Sequence, residues 1–339
     1  MKYIGMDAHS KNCFFIVLSK TGKEFRRQCV STSETNILEF IRSVAGPKKL
    51  VFEEGVMSQW FYLLIKDEVD ELVVCQPSPS KGAKTDWIDA AELADLLRVG
   101  RLKSVFHSDD VLINLRVTVS GYKDLTQEIV RTKNRYKALY REAGISTDGN
   151  NFYQNPEMLS LLDTEERQNV GSLLFEQLVL LEKHYIEYNK RFDKNIRNYE
   201  PVKLLTGIPG IGTIRANQAV AVMVTPYRFS RKYNLFAYTG LTRHSRQSDG
   251  NLYGRRRSKG QPVLKEVFKG AALKALSGNN SFRRKYDDLI AVGTNDKSAR
   301  NAVTKMMAAT VLGVWKSGKK YDDKHMEVTR KQKQSCRNG

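Results

Sequence analysis

The chain has 339 residues and a mass of 38.7 kDa; 41% of its residues are hydrophobic and 27% are charged. This length favours two domains over one, and the composition excludes a wholly disordered chain. No run of about 18 apolar residues occurs, which argues against a membrane-spanning helix. The four cysteines form no C-x-x-C pair and the five histidines are scattered, which argues against a zinc knuckle or a disulfide framework.

The formal net charge of +19 is unevenly distributed along the chain. Residues 1–200 hold 28 Lys and Arg against 29 Asp and Glu, whereas residues 201–339 hold 28 against 8. Solubilising charge is seldom segregated in this way, so we expect the C-terminal segment to bind nucleic acid. The N-terminus enters strand-like sequence at once and lacks the pattern of a signal peptide, so we expect a cytoplasmic protein.

The first 108 residues are predicted to form an α/β domain. Strands come first in the sequence, and strands alternating with helices follow. This order indicates a mixed sheet with helices packed on it. The predicted strands are at 3–18 (two strands around a turn), 25–30, 49–52 and 72–75, and the predicted helices are at 37–45, 57–69 and 86–99.

The remainder of the chain is predicted to be mainly helical. Apolar residues at heptad spacing indicate two long helices in 109–200, separated by a polar loop. An antiparallel helical hairpin, a dimerising coiled coil and an ordinary helical bundle all fit this pattern. A basic domain is predicted at 201–320, with a loop rich in Gly, Ser and Arg at 240–260, and a polar tail at 321–339.

Five acidic residues lie at the edges of apolar elements in the first domain. Asp7 ends the first strand, Glu53 and Glu54 follow the strand at 50–52, and Asp86 and Asp89 share one helix face. A carboxylate in such a place is unfavourable unless it is paired, and two Mg²⁺ ions could pair these carboxylates and support phosphoryl transfer. Taken singly, Asp86 could be a helix cap and Asp7 a turn residue. Their order on strand, strand and helix resembles the RNase H-like fold of RuvC-type nucleases.

The segment L-L-T-G-I-P-G-I-G at 204–212 resembles a helix–hairpin–helix motif. In that motif, glycines expose backbone N–H groups to a phosphate at a helix N-terminus, which makes Gly210 and Gly212 candidate contacts to nucleic acid. A dinucleotide-binding loop does not fit, because Arg215 replaces the third glycine and no strand precedes the loop. A helical turn with glycine caps is the alternative.

The loop at 240–260 has the composition of a phosphate-binding segment. Ser248 lies between Arg246 and Arg255 and could attack a phosphodiester if these cations and a metal stabilised its alkoxide. An isolated loop serine is more often structural, and no His or Lys partner is identifiable from spacing. The candidate nucleic-acid contacts in this segment are Arg243, Arg246, Arg255, Arg256, Arg257 and Lys259.

Taken together, these motifs resemble the DEDD insertion-sequence transposases (the IS-one-ten family), which include the Piv-type DNA invertases and bridge-RNA-guided recombinases. The resemblance spans nearly the whole chain, and only the combination of motifs is specific. The motifs are G-M-D-A-H-S-K at 5–11, F-E-E-G at 52–55, K-T-D-W-I-D-A-A-E-L-A at 84–94, I-P-G-I-G at 208–212, R-F-S at 228–230 and Y-T-G-L-T at 238–242.

This resemblance implies a RuvC-like catalytic domain at 1–108, a coiled-coil connection at 109–200 and a transposase domain at 201–320. It also implies Ser248 as a nucleophile, with Ser245 as the alternative, and it favours Glu53 over Glu54. The catalytic acids, which are also the ligands of Mg²⁺ with Mn²⁺ as the alternative ion, are then Asp7, Glu53, Asp86 and Asp89.

The expected function is a site-specific DNA recombinase that mobilises its own insertion sequence through a covalent phosphoserine. The resemblance implies donor and target DNA and a structured noncoding guide RNA as partners, and the heptad helices fit a homo-oligomer, a dimer or a tetramer. We expect such a protein to be associated with the nucleoid. The alternatives are a DNA invertase or Holliday-junction nuclease that uses only the four carboxylates, and a non-catalytic nucleic-acid-binding protein.

Overall fold

The computed structural model describes residues 1–77, 85–147, 149, 151–248, 251–257 and 260–324. The chain forms two compact units that divide after Asp110. Within the residues that are described, no helix has both the length and the apolarity needed to cross a membrane.

The first unit is built on one five-stranded mixed sheet. Its strands are β1 (Lys2–Ala8), β2 (Asn12–Leu18), β3 (Glu24–Ser31), β4 (Lys48–Glu53) and β5 (Glu71–Cys75). The strand order is β3-β2-β1-β4-β5, with antiparallel pairs β1–β2 and β2–β3 and parallel pairs β1–β4 and β4–β5. The predicted mixed sheet is confirmed, and every predicted strand of the first domain is present.

Helices cover both faces of this sheet. They are α1 (Glu34–Ser43), α2 (Ser58–Ile65) and α3 (Asp86–Arg98). Helices α1 and α2 pack on the face that carries Ile4, Met6 and Phe52, and α3 packs on the opposite face against Ile16 and Val51. Each large apolar side chain buried in these layers contributes about 1.5–3 kcal/mol.

Gly5 allows α3 to lie directly against β1. A Cβ atom at this position would be 1.9 Å from the carbonyl oxygen of Ala90 and 2.6 Å from the backbone nitrogen of Ala94. Both atoms belong to the backbone of α3, so a side chain at residue 5 can be accommodated only if the helix moves. The glycine therefore sets the distance between α3 and the strand that ends near Asp7.

We expect Gly5→Ala to displace α3 and to destabilise the protein. The added methyl group overpacks a helix–sheet contact, which lowers the free energy of unfolding by about 1–3 kcal/mol or more. Chemical denaturation followed by circular dichroism measures this loss. Gly55→Ala is the matched control, because nothing lies within 4 Å of a Cβ at that position. Equal stability of the two variants would contradict the close approach of α3 to β1.

The second unit begins with two long antiparallel helices, α4 (Leu115–Glu142) and α5 (Glu165–Asn198). Their direction follows from their aromatic contacts, because Tyr122 lies 5.2 Å from Phe192 and Tyr136 lies 6.3 Å from Phe175, measured between ring centroids. The pair forms a helical hairpin within one chain, which was one of the predicted arrangements.

The basic segment packs on this helical hairpin. Its elements are α6 (Glu200–Thr206), α7 (Thr213–Met223), α8 (Lys232–Tyr238), β6 (Arg243–Ser248), β7 (Asn251–Arg257), α9 (Pro262–Ala275), α10 (Ser281–Ala291) and α11 (Asp296–Ser317). The fully buried Asn217 of α7 donates its Nδ2 to the carbonyl of Phe192 at 3.2 Å and accepts a hydrogen bond from Asn195 at 2.7 Å. The two segments that we predicted as separate domains around residue 200 are therefore joined in one unit.

The structure corrects the predicted loop at 240–260. This segment contains the antiparallel strands β6 and β7, which pair from Arg243 opposite Arg257 to Ser248 opposite Asn251. The many arginines and the scarcity of β-branched residues concealed the strands from pattern analysis. The dipeptide Asp249-Gly250 is typical of a two-residue hairpin turn and was the available signal; both residues lie outside the described part of the chain.

Candidate active site

Asp7 and Glu53 occupy neighbouring positions on the sheet. Strands β1 and β4 pair in parallel with Met6 opposite Phe52, so the next residue of each strand is Asp7 and Glu53 respectively. Side chains alternate between the faces of a sheet, and Met6 and Phe52 point towards α1 and α2. Asp7 and Glu53 therefore lie on the opposite face, which α3 covers.

The first turn of α3 brings two more carboxylates to this face. The side chain of Thr85 caps the helix by accepting a hydrogen bond from the backbone N–H of Ile88, so Asp86 is not needed as the cap. Asp86 and Asp89 are both in the first helical turn, where the positive end of the helix dipole favours negative charge. All four predicted acids are thus placed at one edge of the sheet by β1, β4 and α3.

His9 connects two of these carboxylates and was not singled out from the sequence. Its Nε2 atom lies 3.0 Å from Oδ2 of Asp7 and 3.3 Å from Oδ1 of Asp86. One ligand atom from each of these three residues lies within 4.8 Å of the other two. The available signal was its position only two residues after Asp7, at the start of the turn that follows β1.

The electrostatic state of Asp7 reflects this crowding. Burial raises the pKa of Asp7 above its ordinary value; the charge and hydrogen bond of His9 lower it, and the charges of Asp86 and Asp89 raise it. The carboxylate of Glu53 acts on the neighbouring β5, where burial and the Glu53 charge together raise the pKa of Cys75 to about 12. Burial is the largest cause of both shifts, and neighbouring carboxylates add to each of them.

Glu54 is directed to different partners. Its carboxylate oxygen Oε2 lies 2.6 Å from Nε2 of the buried His107, whose Nδ1 lies 2.9 Å from the side chain of Gln59. The backbone N–H of Glu54 donates to the carbonyl of Cys75 at 2.8 Å. The two adjacent glutamates are therefore distinguished by their environments, and Glu53 is the one on the face of Asp7.

Comparison with protein families gives two matches that agree with each other. Residues 4–144 match the family model for the DEDD transposases of the IS110 type. Residues 202–287 match the family model for transposases of the IS116/IS110/IS902 family. The chain belongs to the IS110 family of DEDD transposases. It is therefore a DNA-transposing enzyme. A search of curated proteins found no match.

In the second unit of this transposase, Ser248 is the last residue of β6 and pairs with Asn251 at the tip of the hairpin. Ser245 lies in the middle of β6, opposite Arg255. The same ladder contains the predicted basic residues Arg243, Arg246, Arg255, Arg256 and Arg257, whereas Lys259 lies outside the described residues.

Two glycines close the base of this hairpin. A Cβ atom at Gly260 would lie 2.2 Å from the backbone nitrogen of Gly240 and 2.4 Å from the carbonyl carbon of Thr239. The next residue, Gln261, donates its backbone N–H to the carbonyl of Tyr238 at 2.8 Å. The close approach of these backbones fixes where β6 leaves α8 and where β7 enters α9.

We expect Gly260→Ala to disturb the hairpin and to reduce DNA strand joining by about tenfold or more, because the methyl group collides with backbone that cannot rotate away. Gly207→Ala is the control, since the nearest atom to a Cβ at that position is 3.4 Å away. Strand joining with supplied element ends compares the two variants, and equal activity would contradict a role for the hairpin base.

The two glycines of the I-P-G-I-G motif have different environments. Gly210 has a φ of +86°, and a Cβ atom there would lie 2.1 Å from the carbonyl oxygen of Ala271 in α9. Gly212 is the N-cap of α7, has nothing within 4 Å of a Cβ position and lines an open cavity of about 720 Å³. Gly210 thus has a packing role, and Gly212 lies at the N-terminus of α7 beside the open cavity.

Proposed function

We propose that this transposase is a site-specific recombinase that cleaves and joins DNA at the ends of its own insertion sequence. In this proposal Asp7, Glu53, Asp86 and Asp89 hold divalent cations at the scissile phosphate. The observation that carries it is that ligand atoms of Asp7, His9 and Asp86 lie within 4.8 Å of one another. The strand register and the first turn of α3 support Glu53 and Asp89 as the remaining ligands. The strand order of the first unit also supports an RNase H-like fold.

The residues at this edge fit a divalent cation. Carboxylate oxygens are the ligands that Mg²⁺ prefers, and the imidazole nitrogen of His9 adds a donor that suits first-row transition ions. Burial and the charges of Asp86 and Asp89 raise the pKa of Asp7. A bound cation would offset both effects, because it stabilises the charged carboxylate. When bound, such ions stabilise the entering and leaving oxygens of a phosphoryl transfer. Mg²⁺ is the proposed ion, with Mn²⁺ as the alternative.

The protein side chains position the reacting groups. Asp7 and Glu53 are fixed by paired strands, and Asp86 and Asp89 by the capped first turn of α3, so the ligand set is held by rigid elements. Without a metal, a protonated Nε2 of His9 can donate to Oδ2 of Asp7 and so orient that carboxylate; with a metal, His9 would instead offer an imidazole nitrogen as a ligand. The precision of this arrangement depends on Gly5, which sets the distance from α3 to β1.

Ser248 is the proposed nucleophile, with Ser245 as the alternative. Its Oγ forms a bond to the phosphorus while the bond from phosphorus to the leaving deoxyribose oxygen breaks. The serine hydroxyl loses one proton and the departing oxygen gains one, so the step needs no further reactant. A hydroxyl of the opposite strand then displaces the serine and restores the phosphodiester. A phosphoserine would conserve the energy of the broken bond for strand exchange.

The arginine-rich hairpin supports binding of a polyanion beside this serine. Arg243 stands opposite Arg257 in the ladder, and His244 stands opposite Arg256. The two strands thus collect five of the chain's arginines in a short segment, and phosphate groups bind such concentrations of cationic residues. Gly212, at the start of α7, is proposed as a further contact to the DNA backbone.

Strand joining with purified protein tests this proposal. The substrates are double-stranded DNAs that carry the left and right ends of the element with their native flanks, incubated with and without Mg²⁺. The proposal predicts joined ends only with the metal, and a protein–DNA adduct that survives denaturant. Joining without divalent metal, or cleavage with no adduct at any time point during the reaction, would contradict it. The latter result favours an invertase or junction nuclease that uses only the carboxylates.

A structured noncoding guide RNA and a homo-oligomer, dimer or tetramer, complete the proposal. Sequencing of RNA that co-purifies with the protein, expressed with its native flanking DNA, tests for the guide. One discrete structured RNA is expected. Recovery of only heterogeneous cellular RNA would remove RNA guidance from the proposal and would leave the metal centre untouched.

A further inference from the structure

The second unit contains a groove whose lining includes no residue of the arginine-rich strands β6 and β7. It has a volume of about 980 Å³ and lies between α8, the C-terminal half of α11 and residues 319–322. Phe236, Met306, Ala309 and Val314 supply apolar surface to it. Gly313 keeps this surface open, because nothing lies within 4 Å of a Cβ there. An exposed apolar surface of this kind often marks a binding site, and here it lies in a strongly basic segment.

Cations surround the groove. Lys232, Lys305, Lys319 and Lys320 are exposed and line it, and within the described residues no ion pair joins them to a carboxylate. Asp322 is the acidic residue in the lining. The groove is therefore complementary to an anionic molecule that also has apolar faces.

An exposed aromatic ring lies at the same place. Tyr233 is 63% exposed, its ring centroid lies 5.3 Å from Nζ of Lys232, and it contacts Phe236 edge to face at 5.8 Å. An exposed tyrosine beside lysines is the combination with which proteins bind unpaired nucleotides, because the ring stacks on a base while the cations bind phosphates.

We propose that this groove binds single-stranded DNA. An unpaired base stacks on Tyr233 and enters the apolar groove, and the flanking phosphates contact the lysines. A duplex does not fit this role, since its bases are already stacked and paired. The choice of DNA rests on the proposed function, in which strand exchange exposes unpaired DNA. The groove would keep such a strand unpaired until it is joined.

Fluorescence anisotropy with labelled oligonucleotides of about 16 nucleotides tests the groove in metal-free buffer. The probes are oligo-dT, its duplex with oligo-dA, and oligo-U. We expect Tyr233→Ala to weaken oligo-dT binding by about 5- to 100-fold while Tyr233→Phe retains it, and we expect Tyr233→Ala to change the affinity for the duplex and for oligo-U less. An equal or larger loss with the duplex or with oligo-U, or equal loss of oligo-dT binding in Tyr233→Ala and Tyr233→Phe, would overturn the proposal.

A pair of lysine substitutions provides the charge-matched comparison. A plot of log affinity against log salt concentration has a negative slope. The double variant Lys305→Gln, Lys320→Gln should make this slope less steep by about 1.4, because each lost phosphate contact to a single strand removes about 0.7. Lys274→Gln with Lys297→Gln removes the same charge from exposed positions outside the groove and should change the slope less. Equal changes in the two double variants would overturn the proposal.

These assays need no catalysis, so the two proposals can fail separately. Groove-dependent binding by a protein that never joins strands would refute only the proposed function. Strand joining by a wild type whose single-strand binding does not depend on Tyr233 would refute only the groove. Photocrosslinking of an oligonucleotide that contains 5-iododeoxyuridine should attach it at Tyr233, and attachment only elsewhere would count against the site.

Discussion

Replacing Asp7 with Asn is expected to abolish strand cleavage and to stabilise the metal-free protein. Loss of a central ligand removes several kcal/mol of transition-state stabilisation, which corresponds to a decrease of about 10³-fold or more in rate. Stability changes in the opposite direction, because the half-buried carboxylate is disfavoured in its charged form and the amide is neutral. Strand cleavage and thermal unfolding in a chelating buffer measure the two effects.

The sign of the pH dependence follows from the raised pKa of Asp7. A carboxyl group with a higher pKa in the folded than in the unfolded protein stabilises the fold increasingly as the pH falls through the folded-state pKa. This gain in folding stability is complete once the pH is below the pKa of the carboxyl group in the unfolded protein, about 3.9. The stability advantage of Asp7→Asn should therefore shrink as the pH is lowered from neutral towards that value.

Asp95→Asn is the matched control for this prediction. Asp95 lies on the same helix, is 51% exposed and pairs with Arg98 at 2.6 Å. It should leave cleavage unchanged and should not raise the stability of the protein. Full cleavage activity in Asp7→Asn, or the same stability change in both variants, would contradict the assignment of Asp7 to the metal centre.

Ser248→Ala is expected to remove strand joining and the protein–DNA adduct together. Loss of a nucleophile decreases the rate by about 10⁴-fold or more, since no neighbouring group replaces its bond to phosphorus. Detection of the adduct after denaturing electrophoresis, followed by mass spectrometry of the attached peptide, measures this directly. Circular dichroism of Ser248→Ala is the control that the loss of joining does not come from loss of the fold.

Ser245→Ala separates the two candidate serines. Ser245 lies on the same strand as Ser248, three residues earlier. The variant Ser245→Ala should retain the adduct if Ser248 is the nucleophile. If Ser245→Ala loses the adduct and Ser248→Ala keeps it, the assignment is reversed. Undiminished joining in both variants would favour chemistry by the carboxylates alone.

The secondary structure of the first unit could be predicted largely from the sequence. Alternating apolar residues and turn residues place β1 and β2, and the spacing of Asp86 and Asp89 predicts a shared helix face, because these signals act over only a few residues. The choice between Glu53 and Glu54 needed more than spacing. It follows from the register of β4 against β1, and register is set by contacts between residues far apart in the chain.

The parts that were missed depend on tertiary contacts. His9 becomes a candidate ligand only in the folded protein, where α3 places Oδ1 of Asp86 3.3 Å from its Nε2. Gly210 has the residue type of a phosphate-binding loop, yet its backbone is packed against Ala271 in α9. The arginine-rich strands β6 and β7 contradict β-propensity, and their pairing in a hairpin overrides it.

Anomalous X-ray diffraction from crystals grown with Mn²⁺ would locate the metal itself. The proposed centre predicts a strong peak within coordination distance of Asp7 and Asp86, on the face of the sheet that α3 covers and adjacent to Glu53. Crystals of Asp7→Asn grown in the same way should lose the peak. Its absence from wild-type crystals at a Mn²⁺ concentration that supports full cleavage, or a peak bound to other residues, would contradict a carboxylate metal centre at this edge of the sheet.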